Sequence, residues 1–243
     1  MTAQARSKQA IRAAKNLKTT KGGGRGRAPV RSSRDVPVLA IVVGVILLAA
    51  FIVLFIYGAI NNKTSTVPSV QGSTISIPCD TLEHTQVHYH AGLQIVYHGT
   101  LPPIPGGIGI QGGEVAPTCY YWLHVHSANQ NTIHIESPAD TANGKPVTFT
   151  LGDFFKVWST WSTYNGGPSE SLSSTQVATI KLATGDTMKV YVDLNDGKGP
   201  QLYDGDPNQI ILKSHEVITI VIGPPDLQPS DGRFPTFTFA NGL

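Results

Sequence analysis

The sequence predicts a mainly β exported domain, built as a sandwich, a barrel or a β-grasp-like sheet with one short helix, behind a single transmembrane helix. Three observations carry this reading. An uncharged apolar run follows a basic tail, short alternating segments bounded by turn residues fill most of the remainder, and one stretch of helical period interrupts them.

The tail, residues 1–35, holds ten of the eighteen Lys and Arg residues and a single acid, Asp35. Behind it, "VPVLAIVVGVILLAAFIVLFIYGAI" (Val36–Ile60) contains no charge. As a helix it would span roughly 37 Å, enough for a hydrocarbon core of about 30 Å. A cleavable signal peptide has a shorter apolar region, of about 7–15 residues behind a short charged start, so a retained anchor fits better. The basic excess before the helix places the tail in the cytoplasm and everything after Ile60 outside. The first partner is therefore the lipid bilayer, through Val36–Ile60. The tail also reads as a nucleic-acid arm, but a positive-inside segment touching anionic lipid accounts for it more simply. Nucleic acid is excluded as a partner of the exported part, where eight basic residues face fifteen acidic ones.

Residues 61–74 are polar and rich in Ser, Thr, Pro and Gly, which marks a linker; Asn62 opens a glycosylation sequon, "NKT". The exported domain then covers residues 75–243. "VHYHAGLQIVY" alternates as a strand, and "YYWLHVHS" with "NTIHIES" forms a hairpin around Asn129–Asn131. "QVATIKLATGDTMKVYVDL" reads as a second hairpin turning at Thr184–Asp186, and "HEVITIVIG" as a further strand. "LPPIPGGIGIQGGEVAPT" is a long Gly/Pro loop. The helix falls in "TFTLGDFFKVWSTW": Thr150 and Asp153 form a capping box, and Phe154, Val157, Trp158 and Trp161 recur at helical spacing as core residues. The two cysteines, Cys79 and Cys119, both lie beyond the membrane. An even count in an oxidising compartment points to one disulfide, with thiolate metal ligands as the alternative.

Seven of the eight histidines fall between His84 and His134. Side chains alternate along a strand, so parity assigns faces. Val87, Tyr89, Ala91, Leu93 and Ile95 share the odd, apolar face, with Tyr121, Leu123, Val125, Ile133 and Ile135. His88, His90, His124, His126, His134 and Glu136 are all even. Burying the odd residues of the hairpin together requires an even pairing sum. A three-residue loop at Asn129–Asn131 sets His126 opposite His134 and His124 opposite Glu136, with β carbons about 5 Å apart. His88 and His90 form a second two-toothed clamp, and a neighbouring position for their strand brings five imidazoles and a carboxylate together. His215, before the last strand, is a possible extra ligand. His98 lies about 26 Å along the strand from His90 and is out of reach; His84 falls in a loop.

Such a set suits a divalent metal, copper or zinc. Met188 is the only methionine of the exported part, which argues against a thioether Cu⁺ carrier and a blue-copper site. Glu136 either binds the ion or orients His124. Solvated surface and a pH-responsive or structural histidine cluster are the competing readings of the same residues. The acidic stretch "DLNDGKGPQLYDGDPNQ" fails as an EF-hand loop, because Lys198 stands where glycine is needed.

At "HYHAG", "CYYWLHVHS", "HIESP" and "FTLGDFFKVW" the chain resembles membrane-anchored exported bacterial and archaeal proteins with an HxHA and a WLHxH strand, a likeness over most of residues 75–243 that implies no particular activity. "QVHYHAG" and "WLHVH" are locally similar to the zinc strands of α-type carbonic anhydrases, in which an H-x-H strand and a neighbouring strand supply three histidines. That likeness implies His88 and His90 pairing with His124 or His126 and one open position for a zinc-bound hydroxide; the family's other segments are missing from this chain.

Three functions follow from these expectations: an extracytoplasmic metal-binding protein for capture, delivery or sensing; a mononuclear metalloenzyme of hydratase, hydrolase or oxidase type; or a non-catalytic adhesion or envelope-assembly module. If a single ion is shared by both H-x-H pairs, His90→Ala and His124→Ala each remove it, as read by elemental analysis of the purified protein.

Overall fold

The computed structural model describes residues 38–61, 67–138, 140–227 and 236–243. The basic tail and the sequon lie outside the described residues. Two units separate, residues 1–61 and 62–243. In the first, helix α1 (Val38–Asn61) is apolar along its length, with the side chains described between Val38 and Tyr57 all exposed. It is long and apolar enough to cross a membrane.

The second unit is mainly β, and among the described residues no sheet closes into a barrel. Its main strands are β1 (Cys79–Asp80), β2 (Val87–Tyr97), β3 (Ile110–Gln111), β4 (Cys119–Tyr121), β5 (Leu123–His124), β6 (Thr132–Ser137), β7 (Thr187–Asp193), β8 (Gln201–Tyr203) and β9 (Val217–Gly223). Six of them form one mixed sheet in the order β8-β7-β9-β2-β6-β5, in which only β9 and β2 run parallel. β1, β4 and β3 form a small antiparallel sheet, and a bend at Trp122 carries the chain from β4 directly into β5.

The odd face is the core. Ala91, Leu93 and Ile95 of β2 meet Leu123, Val125, Ile133, Ile135, Ile218, Ile220 and Ile222 in one buried cluster. Helix α2 (Leu151–Tyr164) covers it with Phe154, Phe155, Val157 and Trp158. The helix starts where the capping box requires: Thr150 Oγ1 accepts from the Asp153 amide at 3.2 Å, and Asp153 Oδ2 accepts from the Thr150 amide at 3.1 Å. Asp153 also accepts from the Ser73 amide (2.9 Å) and hydroxyl (2.6 Å). Val70–Gln71 pairs with Ser76–Ile77, so the folded unit takes in residues 67–74, which the composition marks as linker.

Two register expectations are corrected. The hairpin around Asn129–Asn131 exists, but Leu123 pairs with Ile135 and His124 with His134, two residues away from the expected pairing. His126 leaves the ladder and precedes a 3₁₀ turn, Ser127–Asn129. On the other edge of β5, away from β6, the Val125 amide donates to Ile108 O (2.9 Å) and Val125 O accepts from Gly107 (2.7 Å), so the Gly/Pro loop fixes the path of the chain beyond His124. Gly109 permits this approach, having φ +77° and a virtual Cβ only 2.6 Å from Leu123 O. The second hairpin is also different. Ala178 adopts φ 52°, and Val177 pairs with Ile180 inside a separate three-stranded sheet with Ser171–Ser173. β7 instead pairs with β9 and β8.

Cys79 and Cys119 are bonded, joining β1 to β4 across 40 residues of chain. That loop length corresponds to about 3–4 kcal/mol. Replacing both cysteines by serine is expected to lower the unfolding free energy by about this amount in denaturant titrations; an unchanged midpoint would show that the bond constrains little.

Candidate metal centre

The even face carries the histidines at the end of the sheet where β2, β6 and β5 lie side by side. Register places His134 between His90 of β2 and His124 of β5, and Glu136 opposite His88. Ring centroids are 4.5 Å apart for His90 and His134, 5.3 Å for His124 and His134, and 4.7 Å for His126 and His134. His90, His124, His134 and Glu136 are buried, His126 is partly exposed and His88 is exposed. All five proposed histidine ligands and Glu136 therefore meet, with His134 at the centre.

Three groups of donor atoms lie within 4.8 Å of one another: His88, His90, His134 and Glu136; His124, His126 and His134; and Glu83, His124 and Glu136. Glu136 Oε1 is 3.3 Å from His88 Nε2 and 3.4 Å from His134 Nδ1. The β2–β6 register puts Glu136 opposite His88, and the two-residue shift of the β5–β6 hairpin sets its backbone amide to donate to Trp122 O in place of a position opposite His124. The group that orients His124 is consequently a backbone carbonyl: His124 Nδ1–H donates to Tyr121 O at 2.9 Å. This leaves the lone pair of His124 Nε2 directed outward, 3.2 Å from His126 Nε2. Glu83 Oε1 completes a triangle, 3.5 Å from His124 Nε2 and 3.2 Å from His126 Nε2. Nitrogens and oxygens at these separations can all lie about 2.0–2.1 Å from one ion.

Glu83 was not among the ligands expected from the sequence. It stands in a loop, where parity says nothing, but it follows Cys79 by four residues, and the disulfide ties that loop to the strand leading into His124. Asp80 secures the same loop by accepting from Trp122 Nε1 (2.7 Å) and contacting His84 Nε2 (2.8 Å). Glu114 of the Gly/Pro loop lies 3.7 Å from His126 Nδ1 and accepts from the Ser127 amide. His215 does not join the set. It sits two residues before β9, its Nε2 facing Leu243 O and its Nδ1 facing Ser214 Oγ. His98 pairs with Asp186, away from the cluster, and His84 with Asp80.

Several buried ring nitrogens lack a well-formed hydrogen bond: His90 Nε2 and both nitrogens of His134, whose Nδ1 only approaches Glu136 Oε1 at 3.4 Å. Each such group costs about 1–3 kcal/mol unless something compensates it. Burial, then the neighbouring His134 and His88, pushes His90 down to about 4. Burial also pushes His124 down to about 3, against the pull of Glu136. For Glu136, burial acts upward, but the contact from His134 and the nearby His124 and His88 outweigh it and hold the carboxyl below its ordinary value. His90 and His124 are thus neutral imidazoles and Glu136 an ionised carboxylate, the forms that bind a cation.

Neither a family model nor a curated protein matches this chain, and no solved structure is similar to it.

The lowered histidine values carry a sign. Below the ordinary value of 6.5, the unfolded chain takes up protons that folded His90 and His124 refuse. Stability is therefore full above about pH 6.5 and falls as the pH drops toward 4. Chelator-treated protein is expected to melt at progressively lower temperature across that window, and His124→Gln to make the decline shallower. A melting temperature flat from pH 7 to pH 4.5 would contradict the burial argument.

Proposed function

We propose that this is a single-pass membrane protein whose exported domain binds copper or zinc on the even face of its sheet. The observation that carries the reading is the meeting of three strands at buried, unpartnered imidazole nitrogens beside an ionised carboxylate. A cation binds the lone pairs that these nitrogens and the carboxylate offer. Imidazole with carboxylate suits Zn²⁺ and Cu²⁺, while the cysteines are joined in a disulfide and offer no thiolate. The basic tail favours a cytoplasmic N-terminus, and the disulfide favours an oxidising compartment for the domain. The role is metal capture, delivery or sensing at the cell surface.

A second reading has its own support. Glu83, His124 and His126 form a two-histidine, one-carboxylate triangle, of which Glu83 and His126 keep some solvent exposure. Such a set leaves coordination positions open for water or substrate, as a metalloenzyme requires.

The test is elemental analysis of the full chain, purified in detergent without chelator or added metal. At least one copper or zinc per chain is expected. After chelation, restoring the ion at 100 times its dissociation constant should raise the melting temperature by about 5–10 °C. Protein that carries no metal and gains no stability from either ion would return the histidines to a structural role.

A further inference from the structure

We infer that the cluster is a two-ion centre: one divalent first-row cation on Glu83, His124 and His126, a second on His88, His90 and His134, and Glu136 between them. This rests on the metal-binding reading above and deepens it.

The first argument is capacity. The three donor groups contain seven side chains, Glu83, His88, His90, His124, His126, His134 and Glu136. A zinc ion takes about four ligands from N and O donors, five at most during reaction. One ion cannot use all seven, and even five-coordinate it leaves at least two of these side chains outside its shell.

The second argument is spacing. The donors separate into two sets on either side of His134 and Glu136. On the β5 side, the Glu83–His124–His126 triangle has edges of 3.2, 3.2 and 3.5 Å, the separations of ligands around a single ion. On the β2 side, His88, His90, His134 and Glu136 make a complete group of their own, with His88 and His90 ring centroids 4.9 Å apart. β6 lies between β2 and β5, so the two sets stand about two strand spacings apart at the backbone, roughly 9.5 Å, and converge only through their side chains.

The third argument is charge and the group in the middle. Glu136 falls in one donor group with His88 and His90 and in another with Glu83 and His124. A carboxylate so placed can bridge two ions about 3.5–4 Å apart, the separation of two-metal sites. Among the described residues, the ion pairs of Glu83, Glu114 and Glu136 are all with histidines, so three carboxylates crowd this end of the sheet without a lysine or arginine pairing with them. Two divalent cations balance that charge better than one.

Titrating the chelator-stripped full chain in detergent with Zn²⁺, and counting bound ions by elemental analysis after equilibrium dialysis, tests this. Wild type should saturate at about two ions per chain, a stoichiometry within the capacity of a two-metal site. Glu83→Gln and His88→Gln should each retain about one; both positions are solvent-exposed, and matching melting temperatures of the stripped variants confirm that they fold. Loaded with Cu²⁺, wild type should give a spin-coupled paramagnetic resonance spectrum, and either variant an uncoupled one. Saturation of wild type at one ion overturns the two-ion centre and leaves the metal-binding reading standing. No bound ion overturns both. Two ions that show no coupling, or variants that still bind two, would mean separate sites and also overturn it.

Discussion

The register of β6 is the constraint on which the rest depends. This strand pairs on both edges, with β2 through His90↔His134 and with β5 through His124↔His134. Its odd residues, Ile133 and Ile135, are fully buried in the core. A slip of one residue would carry these isoleucines to the opposite face and send His134 and Glu136 into the core. Each isoleucine contributes about 1.5–3 kcal/mol by its burial, and each stranded polar group costs a comparable amount. The hydrophobic core on one side of the sheet thereby positions the polar cluster on the other.

The outer arm of the cluster has no such ladder to hold it. His126 lies beyond the end of β5, and Glu83 is in a loop, so their positions come from neighbouring chain. The disulfide joins β1 to β4, Asp80 clamps Trp122 and His84, and the Gly/Pro loop binds the backbone of Val125 and Ser127. The inner half thus rests on a rigid sheet, and the outer half on cross-links between loops. His90, His124, His134 and Glu136 are buried at the centre, while Glu83, His126 and, on β2, His88 reach solvent.

Much of this was legible in the chain. The apolar helix α1, the capped helix α2, the disulfide partners and the common face of His88, His90, His124, His126, His134 and Glu136 rest on composition, capping chemistry and the two-residue period of a strand. The hairpin between β5 and β6 has a longer connection than expected, where a 3₁₀ turn, Ser127–Asn129, and the bonds of Val125 to Gly107 and Ile108 fix the chain after His124. The segment before β7 turns back at Ala178 and not only at Thr184–Asp186, through a left-handed conformation that nothing about alanine announces. The first depends on contacts far apart in sequence, and the second on a local turn whose residues carry no signal for it.

The sequence by itself determined which residues share a face, since parity survives any even change of register. Shifting the hairpin by two residues replaced one pair of opposed side chains by another and left every histidine on the same side. Tertiary structure alone decided which of them touch. It brought His90 beside His134, turned His124 toward Tyr121 O, set His215 against the C-terminal residue and added Glu83 from a loop. The physical reason is that alternation is a local property of the backbone, whereas strand order, loop packing and a disulfide depend on contacts that only the completed core makes favourable.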